Sequence, residues 1–363
     1  MTVQTPHRVG KTLTLVVVAT YCVLMCLLLL RKRKVDDTAG QTPVTFPTDA
    51  VTTSRVLPAF DTGPRRFDFP INEPRLCAAD EYSNPSVPFL LITVQSHASN
   101  KLARDAIRDT WGRISRDFFR KTPVRIVFIL GAVHGTVQRN KIKKESASYR
   151  DLISADFVDT YRNLSLKSLA SFYWARQFCL RAKYLLKTDD NMYHNVTTLM
   201  RWLEMENTTI TGGIVGRLHI NSTVYRYGPW KLDESLYPSR IYPPYCAGCA
   251  YLVSLSMAGR LLEASQRVPL LPIEDVYITG LLARAVGTQC SNNFRFSEWN
   301  NGPMSDNICA MVSGNTFSVH HVDHWRMYAI HRNSQTPEWC KENEIPKQRY
   351  SNSRHLTQNK TTL

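Results

Sequence analysis

Asp189 and Asp190, followed by Asn191, close the apolar run YLLKTD (Tyr184 to Asp189). Carboxylates lose free energy when desolvated, so a pair placed there points to a cation. Oxygen ligands of this kind suit Mg²⁺ or Mn²⁺, which then bridge phosphate oxygens; an Asp-Asp-Asn turn leading into a helix is the plainer alternative. A second acidic pair, Glu274 and Asp275, follows VPLLPI (Val268 to Ile273). One of these could act as a general base toward a hydroxyl, or both could mark a helix N-terminus. FSVHHVDHW supplies His320, His321 and His324, of which one could add a nitrogen ligand. Arg104 and Arg108, four residues apart, share a helical face and could meet a diphosphate together. Cys246 and Cys249 in CAGC have the spacing of a zinc or redox pair. No second close pair accompanies them, and Pro243, Pro244 and Gly248 predict a tight turn instead.

Such groups need a scaffold. FLLITV (Phe89 to Val94), RIVFIL (Arg125 to Leu130) and YLLKTD read as buried strands. Between them lie helical patterns at Lys101 to Gly112, Val137 to Tyr149 and Leu164 to Phe178. Alternation of this kind predicts an α/β fold with a parallel-rich sheet covered on both faces. In such sheets ligands bind beyond the carboxyl ends of the strands, where Asp189 and Asp190 fall.

The chain has 363 residues and a formal charge of +15. Its Lys and Arg are dispersed, and the tightest cluster, Arg31 to Lys34, abuts an apolar run, so nucleic acid is excluded as a partner. Leu13 to Leu30 carries no charge and would span roughly 27 Å as a helix. Because its leucines run into basic residues without small ones, it reads as an uncleaved anchor. Residues 1–12 form a tail, 13–30 the anchor and 31–85 a Thr-, Pro- and Asp-rich flexible stem. Residues 86–335 form the body and 336–363 a C-terminal tail. Charge flanking the anchor favours a cytosolic body. Seven scattered cysteines beyond the anchor favour an oxidising lumen, their odd number leaving at least one free or paired with another chain, and a homodimer stays open. Sequons at Asn163, Asn195, Asn207, Asn221 and Asn359 add weak support, and Asn163 could equally cap the helix starting at Leu164.

Six collinear segments resemble the beta-1,3-galactosyltransferase and N-acetylglucosaminyltransferase group, glycosyltransferase family 31. They are ARDAIRDTWG (Ala103 to Gly112), DFVDTYRNLSLKS (Asp156 to Ser168), KTDDN (Lys187 to Asn191), YPPYCAG (Tyr242 to Gly248), EDVYITG (Glu274 to Gly280) and SVH (Ser318 to His320). The resemblance implies a GT-A fold, a type II Golgi membrane protein with a lumenal body, a UDP-sugar donor with Mn²⁺ and inversion at the anomeric carbon. It implies Asp275 as catalytic base, and Asp190, Asn191 and His320 as metal ligands. Arg104, Arg108, Asp189 and Asp190 would lie on the donor side, with Trp230, Gly248 and Glu274 near the substrates. The implied reaction moves galactose from UDP-galactose to the 3-hydroxyl of a glycan acceptor such as GlcNAc. The alternatives are transfer of GlcNAc from UDP-GlcNAc, or a catalytically silent lumenal binding partner or chaperone. Two departures stand out. Asn191 replaces the usual Asp of the metal motif, removing one negative charge, and the loop from Arg226 to Trp230 is short.

Overall fold

A computed structural model of the protein describes residues 66–78, 90–116, 123–205, 210, 213–298, 304–334 and 340. The expected anchor, most of the stem, Asn207, Asn359 and the tail beyond Cys340 lie outside the described residues. Among those described, no helix is long and apolar enough to cross a membrane.

Three predicted strands form close to their expected bounds as β1 (Leu90–Gln95), β2 (Val124–Ala132) and β4 (Tyr184–Asp189), and β3 (Leu152–Val158) joins them. Their partners run parallel: β1 with β2, β1 with β4, and β2 with β3. β6 (Ile214–His219), β7 (Tyr245–Ser254) and β8 (Cys290–Asn292) complete a sheet ordered β3-β2-β1-β4-β7-β6-β8, with β7 antiparallel to both neighbours. A small ribbon pairs β5 (Tyr193–His194) with β9 (Ser318–Val319). CAGC is therefore part of a central strand rather than a turn. The prolines precede the strand, and Tyr245–Ser254 is held on both sides by pairing that local turn signals do not register.

Successive side chains of a strand face opposite sides, so continuous apolar runs build two cores at once. Leu91, Val127, Ile129, Ile153 and Leu185 pack under α3 (Leu164–Phe178) and α5 (Leu255–Ser265). Leu90, Ile92, Phe128 and Leu186 lie against α1 (Lys101–Asp109), α2 (Thr136–Tyr149), α4 (Val196–Met205) and the C-terminal helices α6 (Met304–Val312) and α7 (His324–Ser334). Helix α5 begins with Ser254, whose side chain accepts from the Met257 N–H and satisfies one of the helix's open donors.

Part of the expected stem belongs to the body. Phe67 is buried against Phe157 and Tyr173, Ile71 bridges Ser154 on the edge strand β3, and Asn72 accepts from the Trp174 indole at 2.7 Å. Cys77 is bonded to Cys179 at the end of α3. The segment has no regular apolar period because it packs through separate anchors, which is why its composition resembles that of a linker.

Arg104 and Arg108 do share a face of α1, but that face is buried, which corrects the expectation that they meet a diphosphate. Glu145 of α2 takes two bonds from Arg104, both 2.8 Å, and a third contact from Arg108 at 2.8 Å; Asp151 takes Arg108 bidentately at 2.8 and 2.7 Å. Burial penalises the Glu145 carboxylate, yet the bonds and charges of Arg104 and Arg108 outweigh it and hold its pKa below the ordinary value. Glu145→Gln should leave two buried guanidinium groups short of charge and lower stability by about 3–5 kcal/mol in a denaturant titration. Because the folded pKa is depressed, the wild-type contribution should be complete at neutral pH and disappear as pH falls through that lowered value.

Candidate active site

The sheet order reverses between β1 and β4, with β2 and β3 beyond β1 on one side and β7 beyond β4 on the other. In α/β sheets ligands bind in the crevice beyond the carboxyl strand ends at such a switch point, and here the segments after β1 and β4 meet there. Ser96, after β1, donates to Asp190 Oδ2 at 2.7 Å, and Asn100 donates to the same oxygen at 3.0 Å. Arg104 steadies that loop through the carbonyls of His97 (2.6 Å) and Ala98 (3.3 Å) and the Ser96 hydroxyl (3.1 Å). Its part in the site is thus exercised through Ser96. Burial raises the Asp190 pKa, opposed by the bonds from Asn100 and Ser96. Gln95, at the end of β1, is buried with neither amide atom partnered among the described residues.

Lys187 lies inside β4 and is 1% exposed. Its ammonium group reaches Asp189 Oδ1 at 2.8 Å, the Gly248 carbonyl at 2.5 Å and Glu274 Oε2 at 3.4 Å. Burial alone would lower its pKa, but the charges of Asp189 and Glu274 reverse this and keep it protonated. Glu274 also accepts from Ser168 at 2.5 Å and from Tyr251 at 2.7 Å. These bonds fix the neighbouring Asp275, which precedes a π-helical segment, Val276–Leu282, and accepts from the Val276 N–H at 2.9 Å. Burial, and then the charge of Glu274, push the Asp275 pKa up to about 6. The pair does stand at a helix N-terminus, and its environment is also that of a base. A Cβ on Gly248 would fall 3.2 Å from Asp275 Cβ and 3.3 Å from Glu274 Oε2, so glycine lets strand and carboxylates approach.

Ribbon β5–β9 brings the histidine motif to the acidic one: Tyr193 pairs with Val319, and the Val322 N–H donates to the Asn191 carbonyl at 2.9 Å. His320 Nδ1 lies 3.0 Å from the Glu298 carbonyl, so Nδ1 carries the proton and Nε2 presents a lone pair. Burial lowers the His320 pKa, which favours that neutral form. Asn191 Oδ1 is buried and has no partner among the described residues. His321 is exposed and stacks on His320, ring centroids 3.8 Å apart; His324 starts α7. No group of three or more His, Cys, Asp or Glu among the described residues is arranged to hold a metal, and Asn191 stands outside that set of residue types. Asp190 has Oδ2 bound to the loop after β1, whereas Asp189 lies within the electrostatic reach of His320.

Trp230 is half exposed and donates to the Tyr161 hydroxyl at 2.7 Å, with Tyr225 beside it at 5.9 Å between ring centroids. Cys246 bonds to Cys290 and Cys309 to Cys340, leaving Cys249 as a buried thiol. CAGC is accordingly no redox pair, and Cys249 is not exposed for a link between chains. Asn163 donates to the Val158 carbonyl at 2.8 Å and makes no side-chain cap, which corrects the capping expectation. Asn195 caps α4 by accepting from Thr198 N–H at 3.0 Å while donating to Met311 O at 2.8 Å, so its amide is engaged on both sides. Asn221 is exposed on a loop with φ of 58°.

Sequence reasoning missed Lys187, Ser168, Tyr251, Ser96, Asn100 and Glu298. Only Lys187 carried a local signal, a charge within an apolar strand.

A parallel-rich α/β crevice lined by an acidic strand end, a facing carboxylate held at raised pKa and an imidazole lone pair defines an enzyme of group transfer at a polar substrate. The galactosyltransferase family profile matches residues 102–293. Beta-1,3-galactosyltransferase 1 from Homo sapiens, and equally from Mus musculus, is 32% identical over 274 residues, covering 74% of this chain and 78% of that protein. Beta-1,3-galactosyltransferase 5 from Homo sapiens is 33% identical over 54% of this chain and 63% of its own. The chain belongs to the galactosyltransferase family and is a glycosyltransferase.

With Asp275 as the base, kcat/KM should show an acid limb with a midpoint near pH 6, activity falling below it as the carboxylate takes a proton. Asp275→Asn should lower kcat by about 10²–10⁴-fold and remove that limb; a pH profile of sugar transfer checks both.

Proposed function

We propose that this protein is an inverting beta-1,3-galactosyltransferase that moves galactose from UDP-galactose to the 3-hydroxyl of a glycan acceptor ending in GlcNAc. The observation that carries the reading is Asp275, held at raised pKa by burial and then by the charge of Glu274, which Lys187 ties to the strand that bears Asp189 to Asn191. In this reading Asp275 takes the proton of the acceptor 3-hydroxyl. The oxygen bonds to the anomeric carbon on the face opposite the phosphate, and the carbon–phosphate-oxygen bond breaks to release UDP. Lys187 keeps the carboxylates in register without touching the substrates.

A divalent cation such as Mn²⁺ suits the residues present. The orphaned Asn191 Oδ1 and the Nε2 lone pair of His320 would hold it, with Asp189 nearby, and when bound it would neutralise charge on the diphosphate of the departing UDP. Asp190, the other expected ligand, has its Oδ2 engaged by Ser96 and Asn100, as Asp189 has its Oδ1 engaged by Lys187. A type II Golgi protein with a lumenal body, anchored through residues 13–30, is supported by the uncharged run Leu13 to Leu30 and by the three disulfides among the described residues, which persist in an oxidising lumen. The GT-A assignment rests on the parallel sheet with its site at the β1/β4 switch point.

The test is transfer from UDP-galactose to a GlcNAc-terminated oligosaccharide with Mn²⁺, with a screen of UDP-sugars alongside. Preference for UDP-GlcNAc would overturn the donor assignment. Absence of both UDP–Mn²⁺ binding and turnover would overturn the enzyme in favour of a lumenal binding partner. Asn191→Asp should restore a charge at the metal position and lower the Mn²⁺ concentration giving half-maximal activity by about tenfold or more, read from a metal titration.

A further inference from the structure

Strand β6 ends at His219, directly opposite Tyr245 across the antiparallel pair with β7. An irregularity between Gly216 and Leu218 re-aims the strand end. The His219 ring lies flat on that of Tyr245, with centroids 5.1 Å apart and 13° between planes. Its Nε2 is 2.6 Å from Glu298 Oε2, and Glu298 is steadied further by Arg217 at 3.9 Å. The Glu298 main-chain carbonyl is the same group that takes the Nδ1 proton of His320. One residue therefore anchors both histidines.

The other nitrogen of His219, Nδ1, has no partner among the described residues, and the ring is only half buried. Tyr245 precedes Cys246, whose N–H donates to the Thr279 hydroxyl at 2.8 Å, and that hydroxyl donates to the Asp275 carbonyl at 2.7 Å, so β7 carries the stacked pair to the turn that Asp275 opens. A ring fixed on one edge by a carboxylate and on one face by a tyrosine can turn in neither direction. Its free nitrogen is a directed hydrogen-bonding group beside the base. A sugar hydroxyl both donates and accepts, so it matches Nδ1 in either protonation state of the ring.

We propose that His219, oriented by Glu298 and Tyr245, binds a hydroxyl of the acceptor sugar next to the one that attacks. This rests on the transferase reading, since it presumes an acceptor sugar at Asp275. Glu298 is then a positioning residue acting through His219.

Full-length protein in detergent is compared with His219→Phe, which keeps a stacking ring, with Glu298→Gln, which keeps the carbonyl holding His320, and with the double variant. Acceptor KM should rise about tenfold in His219→Phe and less in Glu298→Gln, with the double variant no worse than His219→Phe and donor KM within about twofold of wild type. Unchanged acceptor KM in His219→Phe, or donor and acceptor KM rising together with a lower melting temperature, would overturn the assignment. If wild type transfers no sugar, the transferase reading fails by itself, and saturation-transfer NMR with GlcNAc-terminated oligosaccharides decides on His219. Binding that is weakened in His219→Phe supports the assignment. Equal binding by both proteins, or no binding by wild type, overturns it.

Discussion

A single buried ammonium group organises this molecule's chemistry. Lys187 has exchanged water for Asp189, Glu274 and the Gly248 carbonyl, and an ion so deeply desolvated is tolerable only while those partners remain in place. The constraint works in both directions. Glu274 is pinned by Lys187, Ser168 and Tyr251, so its neighbour Asp275 has little freedom, and a side chain at Gly248 would crowd both carboxylates. The acidic end of β4 and Asp275, about 85 residues apart in the chain, become one rigid unit through a single buried side chain.

A second polar cluster supports the first from the other side of β1. Arg104 and Arg108 resemble ligands for phosphate when only their spacing is known. The structure gives them Glu145 and Asp151, and through Ser96 the Arg104 charge reaches Asp190 at one remove. Shared helical faces tell which residues lie together but not whether that face meets solvent or another helix, and a buried acid forty residues away decides the matter.

The parallel half of the fold was legible because its strands are continuous apolar runs separated by helical periods. β1, β2 and β4 appear almost where the runs lie, and the carboxyl-end rule locates Asp189 and Asp190 from sequence alone. The antiparallel half was not. β7 hides behind two prolines and a cysteine pair, β6 and β8 are short, and the segment 66–78 packs by isolated aromatics. Asp275, Asn191 and His320 were accessible only through collinear motifs, since each alone has an ordinary structural explanation. His219 and Glu298 were invisible because their relation exists only across the sheet.

The segment 66–78 also bears on where an independently folding body can start. It lies along the edge strand β3 through the Ile71–Ser154 bridge and is covalently stitched to α3 by Cys77–Cys179. Edge strands left bare invite pairing with other chains. A fragment starting before Phe67 would keep both stitch and cover, whereas one starting after Cys77 would carry an unpaired Cys179 and an open sheet edge. The smallest fragment that keeps this edge closed therefore starts some twenty residues upstream of β1.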